Sequence, residues 1–530
     1  MIFLIKKFYS HRDIVASIIL AVVAVIVGMY YYFTRDHDFF ERINLPYKKP
    51  VPLLGSMWEN FFRIHSFAKM AENLYNVDKE AKYVGCFDLT TPIYVIRDPE
   101  LIKSITVKNF DHFPDHRGFL GDVKDPLFGK NLFILRGDRW KDVRAILSPA
   151  FTSSKMKGMF KLMSECATHF CDFLSNLPAE EKEMDVKDAF TRYTNDVIAT
   201  CAFGVHIDSM RDRDNKFYVY GREATTFGTI TTIKISLIKI LPKLMKLLGL
   251  RIVRKEIGDF FKNLVATTIK TRDEQGINRP DMIQLMMETR SKQDTHLTIE
   301  DMTAQAFLFF FGGFESTSTL MCFATHEIAV NPDIQKRLQE EIDKVLEENN
   351  GQVTYEAINN MPFLEAILDE GLRMYSIGVF ADRLCAKTFE LPPAKPGLKP
   401  VIIKPGEYIW IAIYGVHHDE KYFEEPKKFN PDRFLNNGKK IANSGAYLPF
   451  GIGPRMCIGN RFALLETKVL LFHIFARFNV KPCSKTVIPM ELNRRGIAMT
   501  SQNGFWMRME PRNKPKIISS SSASNEVAVS

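Results

Sequence analysis

The chain has 530 residues, of which 46% are hydrophobic and 25% charged, with a formal net charge of +9. Its Lys and Arg are spread along the chain and do not gather into a stripe, which excludes nucleic acid as a first partner; anionic lipid or an acidic protein fits the charge better. Eight cysteines without a C-x-x-C pair exclude a zinc ribbon or a thioredoxin-like centre and fit a reducing compartment.

The first distinctive element follows a short segment, 1–13. Ile14 to Phe33 is apolar, interrupted only by Ser17 and Gly28. As a helix it spans about 30 Å, the hydrocarbon thickness of a bilayer. Tyr30, Tyr31 and Tyr32 sit at its end, where interfacial aromatics belong. No small-residue cleavage site follows, so a retained transmembrane anchor over 14–33 is expected. Flanking charges are too balanced to orient it.

Residues 34–54 include Pro46, Pro50 and Pro52, which predict a stiff extended link. Length alone allows two to four domains, but from 55 to 512 no composition break marks a boundary, so one large domain is expected there. Helical patterns cover roughly 138–150, 155–178, 183–203, 254–272, 298–330, 333–347, 361–375 and 460–477. Strand-like runs, such as Ile93–Ile96 and Tyr408–Ile411, are fewer. The fold class expected is mostly α with small β-sheets. Between Thr229 and Val253 an apolar stretch carries Lys234, Lys239, Lys243 and Lys246. It reads either as a helix lying in a membrane interface or as an ordinary amphipathic core helix. The Ser-rich tail, 513–530, is expected to be disordered.

The most informative segment is Phe450-Gly451-Ile452-Gly453-Pro454-Arg455-Met456-Cys457-Ile458-Gly459. Its glycines and proline suppress regular structure, and a helical pattern begins just after it. Cys457 therefore lies near a helix amino terminus, where dipole and N–H groups lower a thiol pKa. Arg455 adds positive charge. Such a thiolate suits a metal. A lone cysteine in a Gly-rich loop is more often structural, and a dinucleotide fingerprint fails because Met456 stands where the third glycine belongs.

Three further patterns accompany it. Glu370 and Arg373 share a helix face at i,i+3, usually the mark of a surface ion pair. Trp140 and Arg144 share a face at i,i+4, and both are pure donors, which suits an anion. A long helix over Thr298–Val330 opens with a capping-box pattern, Thr298 to Asp301, and stops at Asn331-Pro332. In its middle, Phe311-Gly312-Gly313-Phe314-Glu315-Ser316-Thr317 sets two glycines before an acid and two alcohols. Glycines there cost about 1 kcal/mol each relative to Ala. A flat ligand approaching the helix justifies that cost, and so does a helix crossing.

Phe450, Gly453, Arg455, Cys457 and Gly459 fill every fixed position of F-x-x-G-x-R-x-C-x-G, and with the other motifs in order the chain resembles the cytochromes P450 over roughly 45–512. The resemblance implies the P450 fold and haem b with its iron on Cys457. It implies that Trp140, Arg144, Arg383 and Arg455 hold haem propionates, with either His116 or Arg117 beside them. Phe450, Gly453 and Gly459 would shape the cofactor loop. Glu370, Arg373 and Arg433, the last from Phe429-Asn430-Pro431-Asp432-Arg433-Phe434, would form a buried structural network.

Glu315 and Ser316, with Thr317 as an alternative hydroxyl, match the family's acid–alcohol pair. The match departs from the usual A-G-x-E/D-T: Gly312 replaces Ala and Ser316 replaces Thr. Phe311, Gly312, Ile377, Val379 and Met499 match positions that line the substrate pocket, implying a hydrophobic small molecule. The implied reaction is monooxygenation with O2 as co-substrate. Electrons would come from a membrane-bound NADPH-cytochrome P450 reductase, with cytochrome b5 as an auxiliary donor. The implied location is the cytosolic face of the endoplasmic reticulum membrane. The Gly-Gly-Phe-Glu-Ser-Thr variant and Arg279-Pro280-Asp281-Met282 resemble an insect branch associated with xenobiotics such as plant toxins and insecticides. Rival readings are a narrow hormone or lipid hydroxylase, a reductase-independent isomerase, and a haem binder without catalysis.

Overall fold

The apolar amino-terminal run folds as part of a single helix, Ile2–Thr34. The computed structural model describes residues 2–117, 125, 127–226, 228–279, 281–290 and 297–513, so the Ser-rich tail from 514 lies outside the described residues. Twenty-one residues, Ile14–Thr34, form a helix long and apolar enough to cross a membrane, and its most apolar 18-residue window is not buried by the rest of the chain, although Phe33 near its end is. Ile299–Val330 passes the same test of length and composition but is 61% buried. It is a core helix.

The proline-rich stretch after the first helix is extended, but much of it is built into the domain. Phe40 and Leu45 are buried. Lys48 N–H donates to Gly85 O at 3.0 Å, and Gly85 N–H donates to Pro46 O at 2.8 Å. Gly85 is required here: a Cβ would lie 2.5 Å from the Phe40 ring. The free link expected over 34–54 is thus shorter, because Phe40 recovers about 1.5–3 kcal/mol by leaving water.

Three small sheets follow. The largest joins β1 (Tyr83–Asp88), β2 (Thr91–Ile96), β7 (Tyr408–Ile411) and β4 (Ala381–Leu384) in the order β1-β2-β7-β4. The two strand-like runs seen in the sequence pair with each other, parallel, from Ile93↔Tyr408 to Ile96↔Ile411. A second sheet has the order β3-β9-β8, from Glu183–Asp185, Trp506–Pro511 and Phe478–Pro482. The third pairs β5 (Phe389–Leu391) with β6 (Val401–Ile403).

The helical body agrees with the sequence pattern in six of its runs: Gly137–Leu147, Ser153–Ser175, Lys255–Gln275, Pro332–Glu348, Pro362–Met374 and Asn460–Arg477. Two runs differ. The helix expected from 183 begins instead as β3. Helix starts at Val186, where the Asp185 side chain accepts from Lys187 N–H and caps it. The single helix expected over 298–330 carries its Thr298–Asp301 capping box but changes to a π-turn at Gly313–Thr317 before resuming at Ser318. Thr229–Ile240 and Pro242–Leu247 are two helices, with Ile230, Ile233, Leu247 and Leu248 exposed.

One buried ion pair ties the carboxyl half together. Arg373 Nε donates to Glu370 Oε2 at 2.7 Å and its Nη2 to Oε1 at 2.8 Å, with both side chains fully buried. Arg433 Nε lies 3.4 Å from the same carboxylate, and Asn430 N–H donates to it at 3.0 Å. Arg373 Nη1 reaches the carbonyl of His417. His417 Nε2 accepts from Leu448 N–H at 2.8 Å, so Nδ1 carries the proton and donates to Ser376 Oγ. The chain of bonds ends two residues before Phe450. Arg373→Ala strands the Glu370 charge and is expected to cost about 3–5 kcal/mol, read from denaturant unfolding. Arg433→Ala, at the longer and less buried contact, is expected to cost less.

A second buried acid gives a pH test. Desolvation pushes the Asp196 carboxyl up to about 7, against hydrogen bonds from Asn195 and Ser209. Its native form is neutral where the unfolded chain is already ionised. Stability from this group is full below the unfolded pKa of about 4 and is lost as pH rises through about 7. Between those limits the unfolding midpoint of the wild type is expected to fall relative to Asp196→Asn.

Candidate active site

The cysteine loop turns on two left-handed glycines, Gly451 at φ 75° and Gly453 at φ 80°. They have different jobs. A Cβ on Gly453 would lie 2.2 Å from Thr106 O, so this glycine lets two backbones touch. A Cβ on Gly451 meets nothing within 4 Å. Gly453 thus permits a close approach of chain to chain. Phe450 is half-buried, and its carbonyl accepts Cys457 N–H at 2.9 Å, closing the loop. Gly459 is the residue before the Asn460 helix.

Cys457 keeps exposed surface although the chain surrounds it closely. Desolvation raises its thiol pKa, while Gly459 N–H and the Arg144 charge lower it, and the net shift is upward. That is opposite to the helix-terminus expectation, because burial outweighs the dipole. A bound metal cation reverses this balance, since a coordinating thiol is deprotonated outright.

Beside the thiol lies a cluster of cations. Arg144 Nη2 donates to Met456 O at 2.9 Å. Arg455 stacks over Trp140, 3.9 Å from the ring centroid, and donates to Pro114 O and Asp115 Oδ1, both at 2.7 Å. Arg383 donates to Asp382 O at 2.7 Å. Burial lowers all three guanidinium pKa values, Arg455 to about 10, and the charges of Arg383 and Arg144 add to the strain on Arg455. His116 joins this cluster: its Nδ1–H donates to Asp382 Oδ1 at 2.9 Å, and burial lowers its pKa. Arg117 points elsewhere, with its guanidinium on Asp88 and over the Tyr408 ring.

Arg383 Nε and Arg455 Nη1 are buried donors without a partner among the described residues. Buried polar groups are normally satisfied, so each marks a place for an acceptor. Haem presents two carboxylates and an iron that a thiolate can ligate, and the donor set beside Cys457 fits it. Gly453→Ala is expected to destabilise the loop by about 1–3 kcal/mol through a strained φ and the Thr106 collision, read by thermal unfolding, whereas Gly451→Ala meets only the strain.

The central helix supplies the other wall. A Cβ on Gly313 would lie 2.5 Å from Ile198 Cδ1, so this glycine serves a helix crossing. Gly312 is exposed and faces open space. The helix-crossing reason for a glycine thus applies to Gly313. In the π-turn, Phe314 O accepts from Thr194 Oγ1 at 2.9 Å and from Ser318 Oγ at 2.8 Å. Ser316 Oγ donates to Gly312 O. Glu315 Oε1 pairs with Lys187 Nζ at 3.0 Å, and the same lysine donates to Ser318 Oγ and Thr319 Oγ1. Thr317 is buried, with a hydroxyl that has no hydrogen-bond partner.

Sequence reasoning missed Lys187, Asp115, Asp382 and Glu466, whose side chains meet the motifs only through tertiary contact. Glu466 alone left a trace, as a carboxylate within the apolar helix Asn460–Arg477. Of the pocket positions, Val379 and Met499 are buried in the main core, Phe311 packs against it with an edge contact to Phe128, and Ile377 is half-buried.

Residues 45–508 match the Cytochrome P450 family. The chain is 44% identical to "Cytochrome P450 9e2" of Blattella germanica over 524 residues, covering 93% of this chain and 96% of that one. It is 39% identical to "Probable cytochrome P450 9f2" and 38% identical to "Cytochrome P450 9b2", both of Drosophila melanogaster, each covering 99% of the relative and 93% and 94% of this chain. A match spanning nearly the whole chain, on a fold that joins the cysteine loop to the acid–alcohol helix, makes this protein a member of the cytochrome P450 family, a monooxygenase with insect relatives of the 9 series.

Proposed function

We propose that Cys457 ligates a haem whose propionates take up the donors of Trp140, Arg144, Arg383 and Arg455, with His116 beside them. The observation that carries this reading is the pair of buried, unpartnered donors, Arg383 Nε and Arg455 Nη1, in the cation cluster beside Cys457. When bound, haem supplies the redox chemistry that activates O2, with one oxygen atom entering the substrate and the other leaving as water.

The chain's own residues do the rest. Glu315, held by Lys187, and Ser316 hold and move the protons that the reaction consumes. Ser316 keeps the hydroxyl of the family's threonine but lacks the methyl that stiffens χ1, so its proton rests on Gly312 O and must rotate away to be delivered. Phe311, Gly312, Ile377, Val379 and Met499 line an apolar pocket that selects a hydrophobic, uncharged molecule. Xenobiotics such as plant toxins or insecticides are the substrate class, a reading supported by the Gly-Gly-Phe-Glu-Ser-Thr variant and the insect relatives.

Two electrons come from an NADPH-cytochrome P450 reductase, with cytochrome b5 as an auxiliary donor. Exposed Lys141 and Arg461 lie on the helices that carry Arg144 and follow Cys457, where an acidic partner would dock. The catalytic domain, 55–512, sits on the cytosolic face of the endoplasmic reticulum membrane behind the 14–33 anchor. Exposed Ile230, Ile233 and Leu247 support an interfacial position for the helices at 229–247.

A reduced carbon-monoxide difference spectrum tests the ligand. The wild type is expected to show a thiolate-type Soret band, and Cys457→Ser is expected to lack it. Arg383→Met removes a charge-assisted donor worth about 1.5–3 kcal/mol. Haem retention is therefore expected to weaken by about tenfold or more, read by transfer to an apo-haem acceptor.

A further inference from the structure

One ion pair ties the lysine-bearing helices, Thr229–Ile240 and Pro242–Leu247, to the largest sheet. Lys239 Nζ lies 2.9 Å from Asp88 Oδ2, at the end of β1. Among the described residues it is the one side-chain polar bond from this helix pair to any segment outside 228–251. Of the side chains described in the pair, only Ile238 and Met245 are buried. Gly228 and Gly249 flank the pair, Gly249 at φ 63°, and a Cβ on either meets nothing within 4 Å.

Asp88 is buried and holds two cations, for Arg117 Nη1 reaches the same oxygen at 2.8 Å. Arg117 is the fixed partner. Its guanidinium stacks 4.5 Å from the Tyr408 ring centroid, its Nη2 donates to Thr91 Oγ1 at 3.3 Å, and its backbone N–H donates to Asp382 Oδ2 at 2.6 Å. Lys239 is the outer partner, a compact and strongly hydrated charge on a flexible stem. Removing the sole partner of a buried carboxylate strands a charge. Here Arg117 stays behind, so Lys239 can leave without stranding Asp88. Three other lysines of the pair, Lys234, Lys243 and Lys246, have no carboxylate partner among the described residues. Ile230, Ile233 and Leu247 are exposed on the same helices. Unpaired lysines beside exposed apolar side chains fit a lipid surface that carries phosphate.

We propose that Lys239 is a releasable clasp, exchanged between Asp88 and the phosphate of an anionic bilayer lipid. On Asp88 it holds the helix pair against the domain. On lipid phosphate it frees the pair to swing on its flanking glycines. Ile238 and Met245 belong to the core cluster that also contains Val379 and Met499, so release loosens packing shared with the apolar pocket. The lipid half of the inference rests on the interfacial position proposed above for these helices; the clasp itself does not.

Hydrogen–deuterium exchange of the full-length holoprotein in zwitterionic nanodiscs tests the clasp. Lys239→Met is expected to raise amide exchange over 229–247 several-fold. Arg117→Met leaves Lys239 as the one cation on Asp88 and is expected to lower it. Exchange unchanged in Lys239→Met, or raised alike in both variants, overturns the clasp. The lipid partner is tested by the association and dissociation rates of a bulky imidazole at the haem iron, read from the Soret band. Phosphatidylserine in the nanodisc is expected to raise both rates of the wild type several-fold with little change in Kd. Lys239→Met is expected to be fast already and indifferent to the lipid. An equal response in the two proteins, no response in the wild type, or the same response to inorganic phosphate overturns the lipid partner. Failure of the haem reading shows separately, as absence of the Soret band, and does not alter the exchange result.

Discussion

Taking Glu370 and Arg373 out of water costs several kcal/mol per ion, and only good geometry with every remaining group bonded repays it. Both nitrogens facing the carboxylate are used, the third reaches His417 O, and Asn430 N–H completes the acceptor. His417 passes the constraint on, because its neutral ring is held between Ser376 and Leu448 N–H. Burial keeps that ring neutral by lowering its pKa well below the usual value. The helix Pro362–Met374, the start of the helix Asp432–Asn443 that carries Arg433, and the entry to the cysteine loop are thereby joined in one bonded unit. An apolar substitute could fill the same volume but could not impose this register.

On that platform the cysteine loop faces a surplus of positive charge. Burial depresses Arg144, Arg383 and Arg455, the charges of Arg383 and Arg144 depress Arg455 further, and Asp115 and Asp382 answer only part of the charge. Such a cluster is costly in an interior of low dielectric unless anions complete it. The arrangement is therefore better explained as a receptor for a doubly anionic, metal-bearing group than as a device for stability.

The central helix meets two demands at once. It must run through the core, which its apolar surface allows, and it must present polar chemistry midway. The π-turn at Gly313–Thr317 reconciles these by rotating the acid and alcohols relative to an ideal helix, with Thr194 Oγ1 and Ser318 Oγ both donating to Phe314 O. Gly313 lets the Val186–Ile198 helix approach, and Lys187 on that same helix holds Glu315. One contact between helices thus positions both the crossing and the charge.

Much was legible in the residues themselves: the apolar amino-terminal run, six of the helices, the β2–β7 strands, the capping box, and the cysteine, acid–alcohol and Glu370–Arg373 motifs. Each of these is a local pattern, fixed by periodicity, capping chemistry or spacing along the chain. What the sequence could not show depends on contacts between distant segments. The packing of Phe40 on the sheet, the start of helix at Val186 after β3, the choice of His116 over Arg117, the different jobs of Gly312 and Gly313, and the Lys187 and Glu466 side chains behind the central helix are of this kind. The upward shift of the Cys457 thiol belongs with them, because desolvation is a property of everything packed around a group and not of its neighbours in sequence.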